Sequence, residues 1–245
     1  MSITTRTLCY TTSDGITLES HFAAPANAAG KLPGILVAPE WWGLSEHAKK
    51  SAEALARAGY AALAIDLYGQ AMLTDDAGIA SAHMNALLEA PDKLQERTRL
   101  ALAALQEQAE VQADRLGAIG YCFGGRVVLD MARRGEPLQA VTSFHGLLAT
   151  DTPAAAGKVQ GELLVESGAD DPMVPPEAIA AFEAEMQQAG VAYHIDVFPG
   201  VRHGFTNPQA TANGEKNHFD ALRYDQAAAQ TSWQNMLNLL QRTLA

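Results

Sequence analysis

The segment Gly120-Tyr121-Cys122-Phe123-Gly124-Gly125 sets a thiol at the centre of a Gly-x-Cys-x-Gly pattern. It follows the apolar run Leu116–Gly120 and precedes a helical pattern over Phe123–Arg134, closed by Gly135. A residue at so sharp a strand-to-helix turn sits in a strained backbone, and small neighbours let strand and helix approach. Gly120 and Gly124 meet that need, with sulfur where such elbows more often carry a serine hydroxyl. The side chain would stand at a helix N-terminus, where N–H groups and the dipole favour an anion. The N–H of Phe123 would point to where an oxyanion develops. These are the requirements of acyl transfer to a thiolate. Cys9 has no such setting and reads as a small core hydrophobe. A dinucleotide loop is excluded, because no Gly-x-Gly-x-x-Gly follows the first parallel strand.

A nucleophile at an elbow needs an acid and then a histidine further along the chain. After the strand pattern Glu162–Glu166 comes Ser167-Gly168-Ala169-Asp170-Asp171-Pro172. A carboxylate just past a strand end can accept a hydrogen bond from an imidazole and fix its tautomer. Spacing favours Asp171 and keeps Asp170 open. Past the next strand, His203 lies in the glycine-bounded loop Gly200-Val201-Arg202-His203-Gly204-Phe205, where a ring can reach across strand ends. His21, His47, His83, His194 and His218 fall at strand, helix or surface positions. His145 follows the strand Val141–Phe144 and either lines a pocket or packs. No His-Glu-x-x-His and no Cys/His cluster occurs, so no metal or other cofactor is expected.

The elements that must position these residues alternate. Arg6–Thr12 and Ile16–Ala23 read as a hairpin around Asp14-Gly15. Short apolar runs at Pro33–Pro39, Tyr60–Ile65, Leu116–Gly120, Leu138–Phe144, Glu162–Glu166 and Ala192–Phe198 suit buried strands. Helical patterns cover Leu44–Ala58, Gly78–Glu89, Asp92–Glu110, Phe123–Arg134, Pro176–Ala189 and a long terminal stretch, Asn217–Leu244. Tyr68–Ala77 is irregular. Alternation of this kind predicts an α/β fold: a mostly parallel central sheet with helices on both faces, joined by right-handed crossovers, plus the antiparallel N-terminal hairpin. No repeat, linker or charge block appears, so residues 1–245 are expected to form one domain.

Composition agrees with a globular chain: 48% of residues are hydrophobic and 18% charged. The formal net charge of −11 argues against nucleic acid and anionic membrane surfaces as partners. No apolar run approaches a bilayer span, and two cysteines without Cys-x-x-Cys spacing argue against a disulfide framework. With no charged-then-apolar N-terminal pattern, a cytoplasmic location is the expectation, as a monomer or homodimer acting on a small molecule.

Four stretches resemble the dienelactone hydrolase family: Ala38-Pro39-Glu40-Trp41-Trp42-Gly43, Asp66-Leu67-Tyr68, the Cys122 elbow, and Asp171…Val174-Pro175 with Gly200…His203-Gly204-Phe205. They occur in matching order along almost the whole chain, and Gly-Tyr-Cys-x-Gly-Gly is specific because most α/β-hydrolases carry serine there. The resemblance implies an α/β-hydrolase fold and a Cys122–His203–Asp171 triad that cleaves a carboxylic ester or lactone through an acyl-thioester. Its acid-x-x-Val-Pro pattern favours Asp171 over Asp170. It also implies that Glu40 pairs with the resting thiol and moves aside for substrate, a carboxylate beside a thiol disfavouring the thiolate. The alternative is that Glu40 caps the helix Leu44–Ala58. Trp41 would supply the second oxyanion N–H. The chain departs from the pattern at Asn207, where an arginine is expected to grip a substrate carboxylate, and between Tyr68 and Pro91, where a second arginine is missing. Dienelactone is therefore not the expected substrate. Trp42, Tyr68, His145 and Phe205 are candidates for a more apolar pocket. The competing reading is a silent or differently specialised protein of the same fold that binds a small apolar ligand. A thiol redox protein lacks a resolving cysteine, and a lipase or peptidase lacks an apolar lid or added domain.

Overall fold

The computed structural model describes residues 1–244, whose elements are eight strands and seven helices. The chain divides into two compact units, Met1–Ala118 and Ile119–Ala245.

In the first unit, β1 (Ile3–Thr11) and β2 (Thr17–Pro25) pair antiparallel in full register. Their turn is closed by Gly15, at φ 84°, donating to the Thr12 carbonyl. β3 (Leu32–Ala38) and β4 (Ala61–Ala64) run parallel, and β2 joins β4 antiparallel. With β5 (Val111–Tyr121), the strand order is β1-β2-β4-β3-β5. Ile35–Ala38 and Ala61–Ala64 are fully buried, which explains their unbroken apolar runs: both faces of a central parallel strand are covered. Helices α1 (Glu46–Arg57), α2 (Ala77–Leu88) and α3 (Pro91–Gln106) complete the unit. Cys9 proves exposed, not core. On the edge strand β1 its half-buried neighbours Leu8 and Tyr10 take the inner face, and the period of two turns Cys9 outward.

The second unit holds the end of β5, α4 (Phe123–Arg133), β6 (Ala140–Phe144), β7 (Glu162–Gly168), α5 (Pro176–Ala189) and β8 (Tyr193–Phe198). Two further helices follow, α6 (Ala210–Lys216) and α7 (Gln226–Leu244). The order is β5-β6-β7-β8, with β6, β7 and β8 parallel. Strand register shows both faces to be covered. Ser143 on β6 faces α4, since a Cβ on Gly125 would stand 2.6 Å from its Oγ. Glu162 and Asp196 lie on the opposite face and bond Arg242 and Asn235 of α7. The α/β architecture and antiparallel hairpin expected above are thus found.

The expected terminal helix Asn217–Leu244 is corrected. It begins at Gln226, where Asp225 Oδ1 accepts from the Ala228 N–H at 2.9 Å. Residues 217–225 instead turn back, His218 adopting φ 52°, and two of their N–H groups go to the loop of His203. Arg223 donates to the His203 carbonyl at 2.9 Å and Asp225 to that of Phe205 at 3.1 Å. A helix would have used those donors internally.

Candidate active site

β5 feeds directly into Cys122, which adopts φ 53° and ψ −114° as the cap of α4. Left-handed backbone at a residue with a Cβ costs on the order of 1–3 kcal/mol and survives only where its surroundings enforce it. Here they do. The Cys122 N–H donates to the Phe144 carbonyl at 3.0 Å, and its own carbonyl accepts from Gly125 and Arg126. A Cβ on Gly120 would lie 2.1 Å from the Gly124 carbonyl oxygen, so strand and helix close up only over glycine. Gly125, not singled out above, is equally constrained: a Cβ there would meet Gly146 Cα at 2.8 Å. Cys122 is buried, with 7% of its surface exposed. Phe123 is the first residue of α4, which puts its N–H at the turn.

Asp171 is buried in the turn after β7, while Asp170 is exposed. Asp171 Oδ1 accepts from the Met173 N–H at 2.8 Å, and Oδ2 stands 2.7 Å from His203 Nδ1. One oxygen thereby fixes the carboxylate and the other holds the ring. His203 is 1% exposed. Burial by itself lowers its pKa. The neighbouring charge of Cys122 sulfur and the Asp171 bond outweigh that and raise it to about 10. Nε2 is buried without an aligned hydrogen-bond partner. Cys122 nonetheless acts on the ring through its charge.

His145 and Phe205, candidates for the pocket, are both fully buried beside this constellation. The His145 ring meets those of His203 and Phe205 edge-on, at 5.1 and 5.3 Å between centroids. Phe205 also packs on Val201, Ala228 and Phe198. Asn207, where an arginine would be expected, is buried and its Oδ1 accepts from the Gln209 N–H at 2.9 Å. It serves the loop. Arg202 donates to the Asp220 carbonyl and Arg126 faces Asp130 and Asp151, so both cations are engaged in ordinary contacts.

The remaining candidates lie together in the first unit. Glu40 follows β3 and is 3% exposed. Ser45, not Glu40, caps α1, its side chain accepting from Ala48 N–H. The Trp41 and Trp42 rings are 4.8 Å apart, and Tyr68 Oη donates to the Trp41 carbonyl at 3.0 Å. Tyr68 is placed by Asp66, whose carboxylate collects the N–H groups of Tyr68, Gly69 and Ala71. Among the described residues no group of three or more His, Cys, Asp or Glu could hold a metal ion, and no helix is long and apolar enough to cross a membrane.

A sequence model of the dienelactone hydrolase family matches residues 18–244. The chain belongs to the dienelactone hydrolase family. Among its relatives is a probable 2-oxo-3-(5-oxofuran-2-ylidene)propanoate lactonase of a Bradyrhizobium species, 28% identical over 92% of this chain and 89% of that protein. A Salmonella typhimurium protein named provisionally as a carboxymethylenebutenolidase is 26% identical over 92% and 83%. The crystal structure of a dienelactone hydrolase-like promiscuous phosphotriesterase from metagenomic libraries superposes with a TM-score of 0.92, at 34% identity over the whole of both chains. In this chain the elbow, the Asp171 turn and the His203 loop follow the strands β5, β7 and β8.

Proposed function

We propose that this dienelactone hydrolase family member cleaves a carboxylic ester or lactone with Cys122 as nucleophile, His203 as base and Asp171 as its orienting acid. The observation that carries this is the join between Asp171 Oδ2 and His203 Nδ1, 2.7 Å long and fully buried, next to a cysteine held at a strained elbow. The proton shared between Cys122 and His203 rests on the imidazole, in keeping with its raised pKa, as sulfur adds to the substrate carbonyl as thiolate. The oxyanion is met by the N–H of Phe123, with that of Trp41 as the second donor that the resemblance implies. Collapse breaks the C–O bond, and the imidazolium of His203 protonates the departing alkoxide to leave an acyl-thioester. Water, deprotonated by His203, then adds to the thioester, and the acid leaves as Cys122 regains its proton. Glu40 keeps the gating role that the resemblance implies.

The name of the Bradyrhizobium relative describes a lactone with a propanoate arm. Asn207 binds its own loop here, so we infer that lactones and esters without a carboxylate beside the reacting carbonyl are the better substrates. The test is a panel of p-nitrophenyl acetate, paired lactones with and without that carboxylate, and a phosphotriester. Cys122→Ala should abolish turnover of every substrate accepted. Undiminished activity in that variant rejects the scheme, and a preference for the carboxylate-bearing lactones rejects the inference from Asn207.

A further inference from the structure

His145 is the first residue past β6 and adopts φ 41°, so two neighbouring strands, β5 and β6, each end in a left-handed residue that is not glycine. The first is Cys122. Such strain persists where the surroundings over-determine it and is concentrated at sites of function. The His145 N–H is tied to the Glu166 carbonyl at 2.7 Å, which fixes the backbone. Its ring stands edge-on to His203 at 66° between planes, and its Nε2 shares a 2.8 Å hydrogen bond with Thr206 Oγ1. Thr206 lies three residues beyond His203 in the same loop. That loop is held by main chain on its other side, through Arg223 and Asp225. Those bonds fix where the loop passes; they leave the tilt of the His203 ring to the side chains packed on it.

We propose that His145 and Thr206 are a positioning pair that sets the His203 ring against Cys122. This rests on the hydrolase reading above, in which His203 is the base. Proton transfer between a thiol and an imidazole is acutely sensitive to placement, and an error of about 1 Å costs on the order of 10²-fold. Asp171 grips Nδ1 and is a pivot: the ring can still swing about that bond. The His145 edge limits the swing, and the bond to Thr206 keeps His145 and the loop moving as one body. A histidine is used at φ 41° although asparagine or glycine would sit there with less strain, because neither would bring a ring to His203 or reach Thr206.

The test uses the full chain carrying Cys9→Ser, since Cys9 is exposed and would otherwise be alkylated as well. In that background His145→Asn, Thr206→Val, Thr206→Ser and the His145→Asn/Thr206→Val double variant are compared. The readouts are kcat and KM on p-nitrophenyl acetate, the pH profile of Cys122 alkylation by iodoacetamide, and Tm. Asparagine accepts left-handed backbone, so His145→Asn should hold its Tm. We expect His145→Asn and Thr206→Val each to lower kcat by about tenfold or more with KM changed less than about threefold. Both should move the alkylation profile in the same direction, and Thr206→Ser should restore it. The double variant should fall no more than about twofold below the worse single one, as for residues acting as a unit. Wild-type kcat and alkylation in either single variant, losses that multiply in the double, or losses that follow Tm alone overturn the pair. His203→Ala separates the two levels of argument. If it keeps full turnover and an unchanged alkylation profile, His203 is not the base and the reading on which the pair rests falls; if it is inactive while His145→Asn is not, only the positioning pair falls.

Discussion

Asp171 and His203 form a buried hydrogen bond whose value depends on both ends being satisfied. Asp171 spends its second oxygen on the Met173 N–H, so the carboxylate has no freedom to turn away from the ring. Asp171→Asn keeps the size and removes the charge. It also makes the imidazole choose between donating and accepting at Nδ1, which turns the wrong nitrogen toward Cys122. We expect kcat to fall by about 10²- to 10⁴-fold with a small change in Tm. The same change should lower the pH at which His203 titrates, because the bond and charge of Asp171 are among the influences that raise it to about 10. NMR of the imidazole across pH checks this, and a His203 titration unmoved in Asp171→Asn would show that Asp171 does not set the base. Asp170 is exposed, with its N–H on the Val201 carbonyl, and Asp170→Asn should change neither quantity.

At the scale of elements, the crossing of β5 and α4 decides whether there is an elbow at all. Gly120→Ala would drive a Cβ to 2.1 Å from the Gly124 carbonyl oxygen, a backbone atom that cannot step aside. We expect that variant to lose about 2 kcal/mol or more of stability, measured by urea unfolding, and to lose Cys122 alkylation with it. Gly157, whose Cβ would meet nothing within 4 Å, sits at φ 73° and should tolerate alanine with only the modest strain of a left-handed residue. The Gly-x-Cys-x-Gly spacing made the elbow legible in the sequence, because steric need and residue type coincide there. The buried strands were legible for a similar reason: Ile35–Ala38 and Ala61–Ala64 are apolar on both faces because both faces are covered. The 217–225 segment was not legible. Its residues are compatible with helix, and it leaves the helix because the His203 loop offers acceptors at His203 and Phe205, a tertiary fact without a local sign. Thr206 was missed likewise, being an ordinary loop threonine until the fold brings it to His145. Ser45 did carry a local signal, a serine three residues before the amide it caps, and that signal lay in plain view.

Over the whole molecule, Glu166 and His203 make stability fall as pH rises, and His47 works against them at the acid end. Glu166 on β7 is fully buried, and neither carboxyl oxygen has a hydrogen-bond partner. Burial first, and then the charge of Asp196 on β8, raise its pKa from 4.5 to about 8, with Asn235 of α7 offsetting only part of this; the Asn235 amide is already donated to Asp196 at 3.0 Å. Between pH 4.5 and 8 this group in the native state therefore holds a proton that it has released in the unfolded chain, and its contribution to stability falls as pH rises through that window. His203 is a base whose folded pKa is raised from 6.5 to about 10. Its stabilising contribution is complete below 6.5 and is lost as pH climbs toward 10. Each group can tilt the free energy of unfolding by at most about 1.4 kcal/mol per pH unit. Below about pH 6.5 His203 is protonated in both states, and Glu166 is opposed there by His47, whose burial lowers its pKa from 6.5 to about 4, so that its contribution to stability grows as pH rises through that interval. Glu166→Gln keeps the shape and removes the titration, so between about pH 5 and 6.5 its unfolding free energy should rise more steeply with pH than that of the wild type, and it should exceed the wild type at about pH 9. Between about pH 7 and 10 the variant should still decline, because His203 remains. Urea denaturation at half-unit pH steps reads both slopes. An unaltered slope below about pH 6.5 in Glu166→Gln would mean that Glu166 is already ionised in the fold, and a second solvated or cationic neighbour would then have to be found for it on the α7 side of the sheet.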